Sequence, residues 1–107
     1  SVALGALLLA RGTTRAAFGL ARQAEPDLRE ADALARAAGD TTTRLRSLRW
    51  LSVAVGLQGR GVEAGGLYGQ LEELAASTED PIWRAAVELE LAVAQIYART
   101  DLAASRP

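Results

Sequence analysis

Several residue types that carry much of protein chemistry are missing from this 107-residue chain. It has no cysteine, no histidine and no methionine, and its twelve basic residues are all arginine. Without cysteine, the chain can form neither a disulfide framework nor a thiolate metal site. Without histidine, it lacks the commonest general base near neutral pH and the commonest metal ligand. We therefore expect a protein that is not an enzyme and that binds no metal and no cofactor.

Long apolar runs are also scarce. The one strongly apolar run, residues 2–10, is far shorter than the ~20 residues that span a bilayer. No basic segment precedes it, and Arg11 and Arg15 follow directly, so a buried helix is favoured over a secretory signal. We expect a soluble, cytoplasmic chain without membrane contact. Because it begins with Ser1 and has no methionine, we also expect it to be a piece of a longer polypeptide.

The overall composition fits one small helical domain. Half of the residues are apolar, which suffices for a core at this length. The sequence shows no sustained alternation of apolar and polar residues and no Asn-Gly or Asp-Gly turn, so that a sheet is not expected. The net charge is −1 and the pI is about 5.4, whereas nucleic-acid-binding domains usually carry a marked basic excess. We therefore expect no direct contact of this segment with nucleic acid.

The chain matches itself when it is displaced by 40 residues. A repeat of this length is typical of helical hairpins that stack because a single hairpin cannot bury its own apolar face. We predict an all-α fold, in which antiparallel helical hairpins stack as a short right-handed array. The array would form one domain over residues 1–107, with units at about 1–40, 41–80 and 81–107. The alternative is a plain helix bundle whose alanine-rich sequence matches itself by chance. The matched pairs are Ala24 with Ala64, Leu28 with Tyr68, Ala31 with Leu71, Asp32 with Glu72, Leu34 with Leu74, Ala35 with Ala75 and Asp40 with Asp80.

Capping residues and glycines predict where the helices begin and end. Asp40 and Asp80 are candidate N-caps, and residues 59–61 read as a turn between two helices. In the first forty residues, the segments 12–14 and 25–27 interrupt the helical pattern. The apolar periodicity predicts helices at about 2–11, 14–24, 27–38, 44–58, 62–76 and 81–99. Their shared core is expected to contain Leu51, Leu71, Leu74 and Leu91.

Part of this pattern resembles a tetratricopeptide repeat. The first helix and turn of such a repeat are resembled by Trp50-x2-Val53-Ala54-x2-Leu57-x3-Gly61 of this chain, and its second helix is resembled by Ala64, Tyr68 and Leu71. Part of the first-helix pattern recurs earlier in the chain as Leu4-Gly5-x2-Leu8-x3-Gly12-x4-Ala17. With a period near forty residues, the chain is similar to the longer tetratricopeptide-like units of bacterial LuxR/MalT and antibiotic-regulatory transcriptional regulators. The resemblance implies an array that binds protein partners or senses ligands while separate domains bind nucleotide or DNA.

The one basic cluster of the sequence lies on the helix predicted at about residues 44–58. Arg44, Arg46 and Arg49 lie close together, and no acid occurs between Asp40 and Glu63. A phosphate-contacting patch and a site for an acidic protein partner both fit this cluster, and the acidic overall pI favours the protein partner. Neighbouring carboxylates elsewhere in the chain point to different faces of their helices, which favours solvated surfaces over an acid–base pair.

We therefore predict a non-catalytic protein–protein interaction module, a scaffold or sensor segment of a bacterial transcriptional regulator. Its partner is expected to be a protein with an acidic segment. Self-association is a further expectation, because residues 1–60 hold nine arginines against five acids and residues 61–107 hold three against eight, and opposite charges steer association. The predicted contact residues are Arg46, Arg49, Trp50, Glu90 and Tyr97.

A small-molecule sensor is the alternative function. Its pocket would lie between helices, with an aromatic wall formed by Trp50, Trp83 or Tyr97. Large aromatic residues at helical spacing are more often part of the core than of a ligand site, so this alternative ranks second.

Overall fold

The computed structural model describes residues 2–77 as four helices. They are α1 (Val2–Ala17), α2 (Ala21–Ala38), α3 (Thr41–Leu57) and α4 (Gly61–Ala76). Beyond residue 77 the structure describes only Pro81, Arg84, Ala85, Glu88, Leu89, Ala92 and Ile96. No strand occurs in the described part of the chain, and the predicted all-α class is confirmed. The helix predicted over residues 81–99 lies mostly outside the described residues.

Consecutive helices pack against one another, α1 on α2, α2 on α3 and α3 on α4. We call α1 with α2 the first hairpin and α3 with α4 the second. Along α1 and α2 the contacts run in opposite directions, because Gly5 faces Leu34 whereas Gly12 faces Leu28. The short connections between consecutive helices favour the same antiparallel arrangement. α3 lies at the centre, since it packs against α1, α2 and α4. The backbone of α4, in contrast, approaches only that of α3 among the described helices.

The same turn ends α1, α2 and α3 at intervals of twenty residues. Gly19, Gly39 and Gly59 have φ angles of 78°, 69° and 80°, a left-handed conformation that glycine adopts without steric cost. Each glycine N–H donates to the carbonyl three residues earlier, and the N–H of the next residue donates to the carbonyl five residues earlier. These bonds satisfy carbonyls that the helix end leaves without donors. The 40-residue repeat of the sequence is therefore two structural steps of 20.

Asp40 is the N-cap of α3, as the sequence predicts. Its carboxylate accepts a hydrogen bond from the Thr43 N–H at 3.1 Å and another from the Thr43 hydroxyl at 2.6 Å. Because the cap is Asp40, α3 begins at Thr41, three residues earlier than the apolar pattern alone predicts. The hydrogen bonds to Thr43 also lower the pKa of the Asp40 carboxyl.

The prediction of a helix break at residues 12–14 is wrong. α1 continues through this segment to Ala17. A Cβ at Gly12 would lie 2.7 Å from Cγ of Leu28, so this glycine permits close packing of α1 on α2 and does not end the helix. The hydroxyls of Thr13 and Thr14 donate within the helix, to the carbonyls of Leu9 and Ala10 at 2.8 Å in each case.

The prediction of a break at residues 25–27 is wrong for a different reason. Pro26 lies inside α2, where it provides no N–H for the carbonyl of Arg22. Both residues lie on the exposed side of the helix, where water can hydrogen-bond that carbonyl. Ala24 and Leu28, on either side of Pro26, are fully buried. Packing of the buried face thus holds α2 in one piece despite the local cost of proline.

The core lies between α3 and its neighbours. Leu51 and Leu71 belong to it, as predicted, and Leu74 is half-buried against the same cluster. Leu91 lies outside the described residues. The largest fully buried side chains are those of Leu28, Leu48, Leu51, Val55 and Leu71. These leucines and the valine come from α2, α3 and α4, so that burial ties both hairpins into one body.

Candidate interaction surface and charged contacts

The arginines of the predicted basic cluster have different environments. Arg46 is exposed on α3 and Arg49 is half-buried one turn further along. Arg44 instead points to α2, where its Nε lies 3.4 Å from Oδ1 of Asp32. The basic surface of α3 is therefore narrower than the acid-free run of sequence suggests, because acids from another helix neutralise part of that run.

Arg49 and Trp50 form a stacked pair. The guanidinium carbon of Arg49 lies 4.4 Å from the centroid of the Trp50 ring, which is a favourable cation–π distance. The Trp50 ring is half-buried and packs against the core. Since residues three apart on a helix are neighbours, Arg46 lies beside this pair. We call Arg46, Arg49 and Trp50 together the α3 basic surface.

The structure thus brings three of the five predicted contact residues together. Glu90 and Tyr97 lie outside the described residues, as does Trp83, so their roles remain predictions. The expectation that Trp50 is part of the core is confirmed in part, because one portion of its side chain packs inward while the ring also stacks with Arg49. A ligand stacking on the same ring face would have to displace that guanidinium.

A second charged feature, which the sequence analysis missed, joins the two hairpins. Arg60 donates to Oε1 of Glu25 at 2.6 Å, and Arg29 donates to Oε1 of Glu63 at 2.7 Å. Gln58 also donates to Oε1 of Glu25, at 2.9 Å. We call these five side chains the inter-hairpin network. They link α2 to the turn between α3 and α4, where Gln58 and Arg60 lie, and to Glu63 of α4. The backbones of α2 and α4 are not in close contact.

The inter-hairpin network strongly stabilises ionised carboxylates. The hydrogen bond from Arg60 is the largest influence on Glu25 and, with those from Gln58 and Arg29, lowers the pKa of Glu25 to about 2 despite partial desolvation. Arg60 and Arg29 likewise lower the pKa of Glu63. Sequence spacing offered a signal for part of the network, because Glu25 with Arg29 and Arg60 with Glu63 are neighbours on their own helices. Only the fold could reveal the bonds between helices.

A third group of charges ties α1 to α2. Asp27 is 5% exposed and accepts two hydrogen bonds from Arg11, at 2.7 and 2.9 Å, and one from Arg15 at 2.9 Å. The forked contact with Arg11 is the main cause of the lowered pKa of Asp27. Three donors occupy this carboxylate, which makes it a structural tie between the helices and not an exposed nucleophile or base.

Asp32 differs from the other three interhelical carboxylates, which are those of Glu25, Asp27 and Glu63. Burial raises its pKa, although Arg44 and Arg36 act in the opposite direction. Its contacts with Arg44 and Arg36 are 3.4 and 3.5 Å long, well beyond the usual length of a charge-assisted hydrogen bond. Among the residues that the structure describes, no group of three histidine, cysteine, aspartate or glutamate side chains is placed to hold a metal ion. The shifted pKa values of the carboxyl groups are explained by hydrogen bonds and ion pairs within this chain and, for Asp32, by burial.

Comparisons with known proteins found no matching family model, no matching curated protein and no matching solved structure. Functional inference therefore depends on the residues of this chain alone. Within the part of the chain that the structure describes, no helix combines the length and the apolar character needed to cross a membrane.

Proposed function

We propose that this chain is a non-catalytic protein-interaction module in which the α3 basic surface binds an acidic segment of a protein partner. The module would be the scaffold or sensor segment of a cytoplasmic bacterial transcriptional regulator. Its hairpins would stack in the right-handed, tetratricopeptide-like manner. Glu90 and Tyr97 are expected to add contacts, and the module would not bind nucleic acid itself.

The observation that carries the proposal is the position of exposed Arg46 next to the Arg49–Trp50 stack. A guanidinium group presents forked donors that match the geometry of a carboxylate. Stacking on Trp50 restricts the Arg49 side chain, so less conformational freedom is lost when it binds. Arginine and tryptophan are also the residue types that most often dominate protein interfaces. The surface is therefore suited to an acidic peptide that carries an apolar side chain.

The remaining charges support the same assignment. The arginines of the inter-hairpin network and of the Asp27 group are engaged with acids of the chain itself. They stabilise the fold, and an acidic ligand would have to break internal ion pairs in order to use them. Arg46 is exposed, so that its use by a partner disrupts no packing. The small-molecule alternative gains no such support, because the Trp50 ring is already stacked with Arg49.

The experiment is a fluorescence-anisotropy titration with two labelled peptides. One peptide is rich in Asp and Glu and contains a single tyrosine, and the other has Asn and Gln in place of the acids. The protein should bind the acidic peptide better, and added salt should weaken that binding because screening reduces attraction between exposed charges. Arg46→Glu should reduce the affinity by about tenfold, which corresponds to ~1.4 kcal/mol.

Arg22→Glu is the matched control, because Arg22 is an exposed arginine on α2 and its reversal changes the net charge equally. We expect this control to bind the acidic peptide nearly as wild type does. Circular dichroism should show that both variants are folded. Equal losses for Arg46→Glu and Arg22→Glu would mean that only net charge matters, and the proposed surface would be wrong.

A further inference from the structure

α1 has an apolar face that no described helix covers. Ala3, Leu7, Ala10 and Thr14 follow one another at helical spacing and all four are exposed. The Leu7 side chain stands out, since 65% of it is exposed. The alanines around it would allow a second helix to approach closely. We call these four residues the open face of α1.

The corresponding face of α3 is covered. Displacing the open face by the 40-residue repeat gives Thr43, Ser47, Trp50 and Ala54. Ser47 and Ala54 are 0% exposed, and Thr43 and Trp50 are half-buried. α3 packs against both helices of the first hairpin. This side of α3 is therefore covered in the folded chain, whereas the same side of α1 is exposed.

The distribution of charge indicates what could lie on the open face. Residues 1–60 carry nine arginines and five acids, whereas residues 61–107 carry three arginines and eight acids. Glu72 and Glu73 are exposed acids on α4. Two copies meeting through their α1 helices would bring two basic halves together, which like-charge repulsion disfavours. Contact between the basic half of one copy and the acidic half of another is favoured.

We propose that the open face of α1 binds the acidic carboxyl-terminal half of a second copy of this chain, so that copies stack head to tail. Within one molecule, the second hairpin stacks on the first. The proposed contact would repeat this stacking between two molecules. Such a contact uses two different surfaces and leaves one of each free at the ends of every open assembly. It therefore produces chains that lengthen with concentration, or rings where the rotation between copies closes, and in both cases it differs from a two-fold dimer that pairs the same surface of each copy.

The test is sedimentation velocity of the 107-residue protein over a wide range of concentrations. The average mass of the wild type should rise beyond that of a dimer as concentration increases, and salt should reduce it. Leu7→Glu should remain monomeric. Val62→Glu is the matched control, because Val62 is an apolar residue of α4 that is 96% exposed. Its equivalent in the first hairpin is Arg22, which stays exposed although the two hairpins are stacked. Val62 should therefore stay exposed in the proposed contact as well. This control should assemble as wild type does.

A mixing experiment tests the direction of the contact. A Leu7→Glu chain keeps its acidic half, so it should bind the exposed α1 face of a wild-type assembly and prevent further growth. Small amounts of Leu7→Glu should therefore lower the average mass of wild-type assemblies, whereas Val62→Glu should not. The proposal is overturned if the wild type is monomeric at every concentration, if its mass stops at a dimer, or if added Leu7→Glu leaves the mass unchanged.

The test of self-association does not depend on whether the α3 basic surface binds acidic peptides. Arg46→Glu should assemble as wild type does, and Leu7→Glu should bind the acidic peptide as wild type does. Loss of assembly in Leu7→Glu with unchanged peptide binding would separate the two surfaces. Loss of both activities in Leu7→Glu, while circular dichroism shows a folded chain, would contradict the assignment of self-association to the open face.

Discussion

The packing of α1 on α2 can be tested by making the same substitution at two glycines. An alanine Cβ at Gly12 would lie 2.7 Å from Cγ and 2.8 Å from Cδ2 of Leu28. Leu28 is fully buried, so its side chain has no room to turn away from the added carbon. At Gly65 on α4, a new Cβ would meet nothing within 4 Å.

The two substitutions should therefore change stability in opposite directions. Alanine is favoured over glycine inside a helix by about 1 kcal/mol, and this gain applies at both positions. At Gly12 it is outweighed by overpacking of about 1–3 kcal/mol, so Gly12→Ala should lower the free energy of unfolding by up to ~2 kcal/mol. Gly65→Ala should raise it by about 0.5–1 kcal/mol.

Urea denaturation followed by circular dichroism provides the measurement. Both variants should unfold with the slope of the wild type, which shows that the midpoints report stability. If Gly12→Ala is as stable as Gly65→Ala or more so, the close contact between Gly12 and Leu28 is not present, and the account of why α1 runs through residues 12–14 fails.

Four further predictions follow from the same contacts. Leu51→Ala and Leu71→Ala should each cost about 2–5 kcal/mol in urea denaturation, and half-buried Leu74→Ala should cost less; equal, near-zero effects would contradict the stacking of the helices. The far-ultraviolet circular dichroism spectrum should be dominated by helix, and a strand-dominated spectrum would refute the fold. Asp40→Ala should cost about 1 kcal/mol by removing the α3 cap, whereas Asp40→Asn, which can still accept the Thr43 N–H, should cost less. Folding lowers the pKa of Glu25 from 4.5 to about 2, so the contribution of this carboxylate to stability is complete above pH 4.5 and is lost as the pH falls toward 2. Glu25→Gln should therefore destabilise the protein at pH 6, and it should lose less stability than wild type when the pH is lowered to 3. Parallel profiles of stability against pH for the two proteins would refute this role of Glu25.

The sequence predicted the class of the fold because helix formation and capping depend on local chemistry. Asp40 caps α3 through bonds to a residue three positions away, and such a signal is complete within the local sequence. The periodic leucines of α3 and α4 predicted their buried faces for the same reason. The 20-residue step was readable in Gly19, Gly39 and Gly59, but their common left-handed conformation emerged only with the structure.

Where the structure departs from the sequence-based predictions, distant contacts override local propensity. Gly12 and Pro26 both disfavour a helix locally, yet each lies in one that packing against another helix stabilises. The basic cluster was overestimated for the same reason, because Asp32 neutralises Arg44 from a different helix. Sequence spacing cannot show which acid of one helix meets which arginine of another.

The most direct test of the central claim, that the α3 basic surface recognises acidic protein segments, is a reversal of its specificity. The variant with Arg46→Glu and Arg49→Glu should lose its preference for the Asp- and Glu-rich peptide and gain affinity for a lysine-rich peptide of the same length, measured by fluorescence anisotropy at low and moderate salt. The fold should be nearly unchanged by the exposed Arg46 substitution, and a circular dichroism melt of the double variant would confirm that it is folded. If the folded double variant binds the acidic peptide as wild type does, with the same salt dependence, the α3 basic surface is not the binding site.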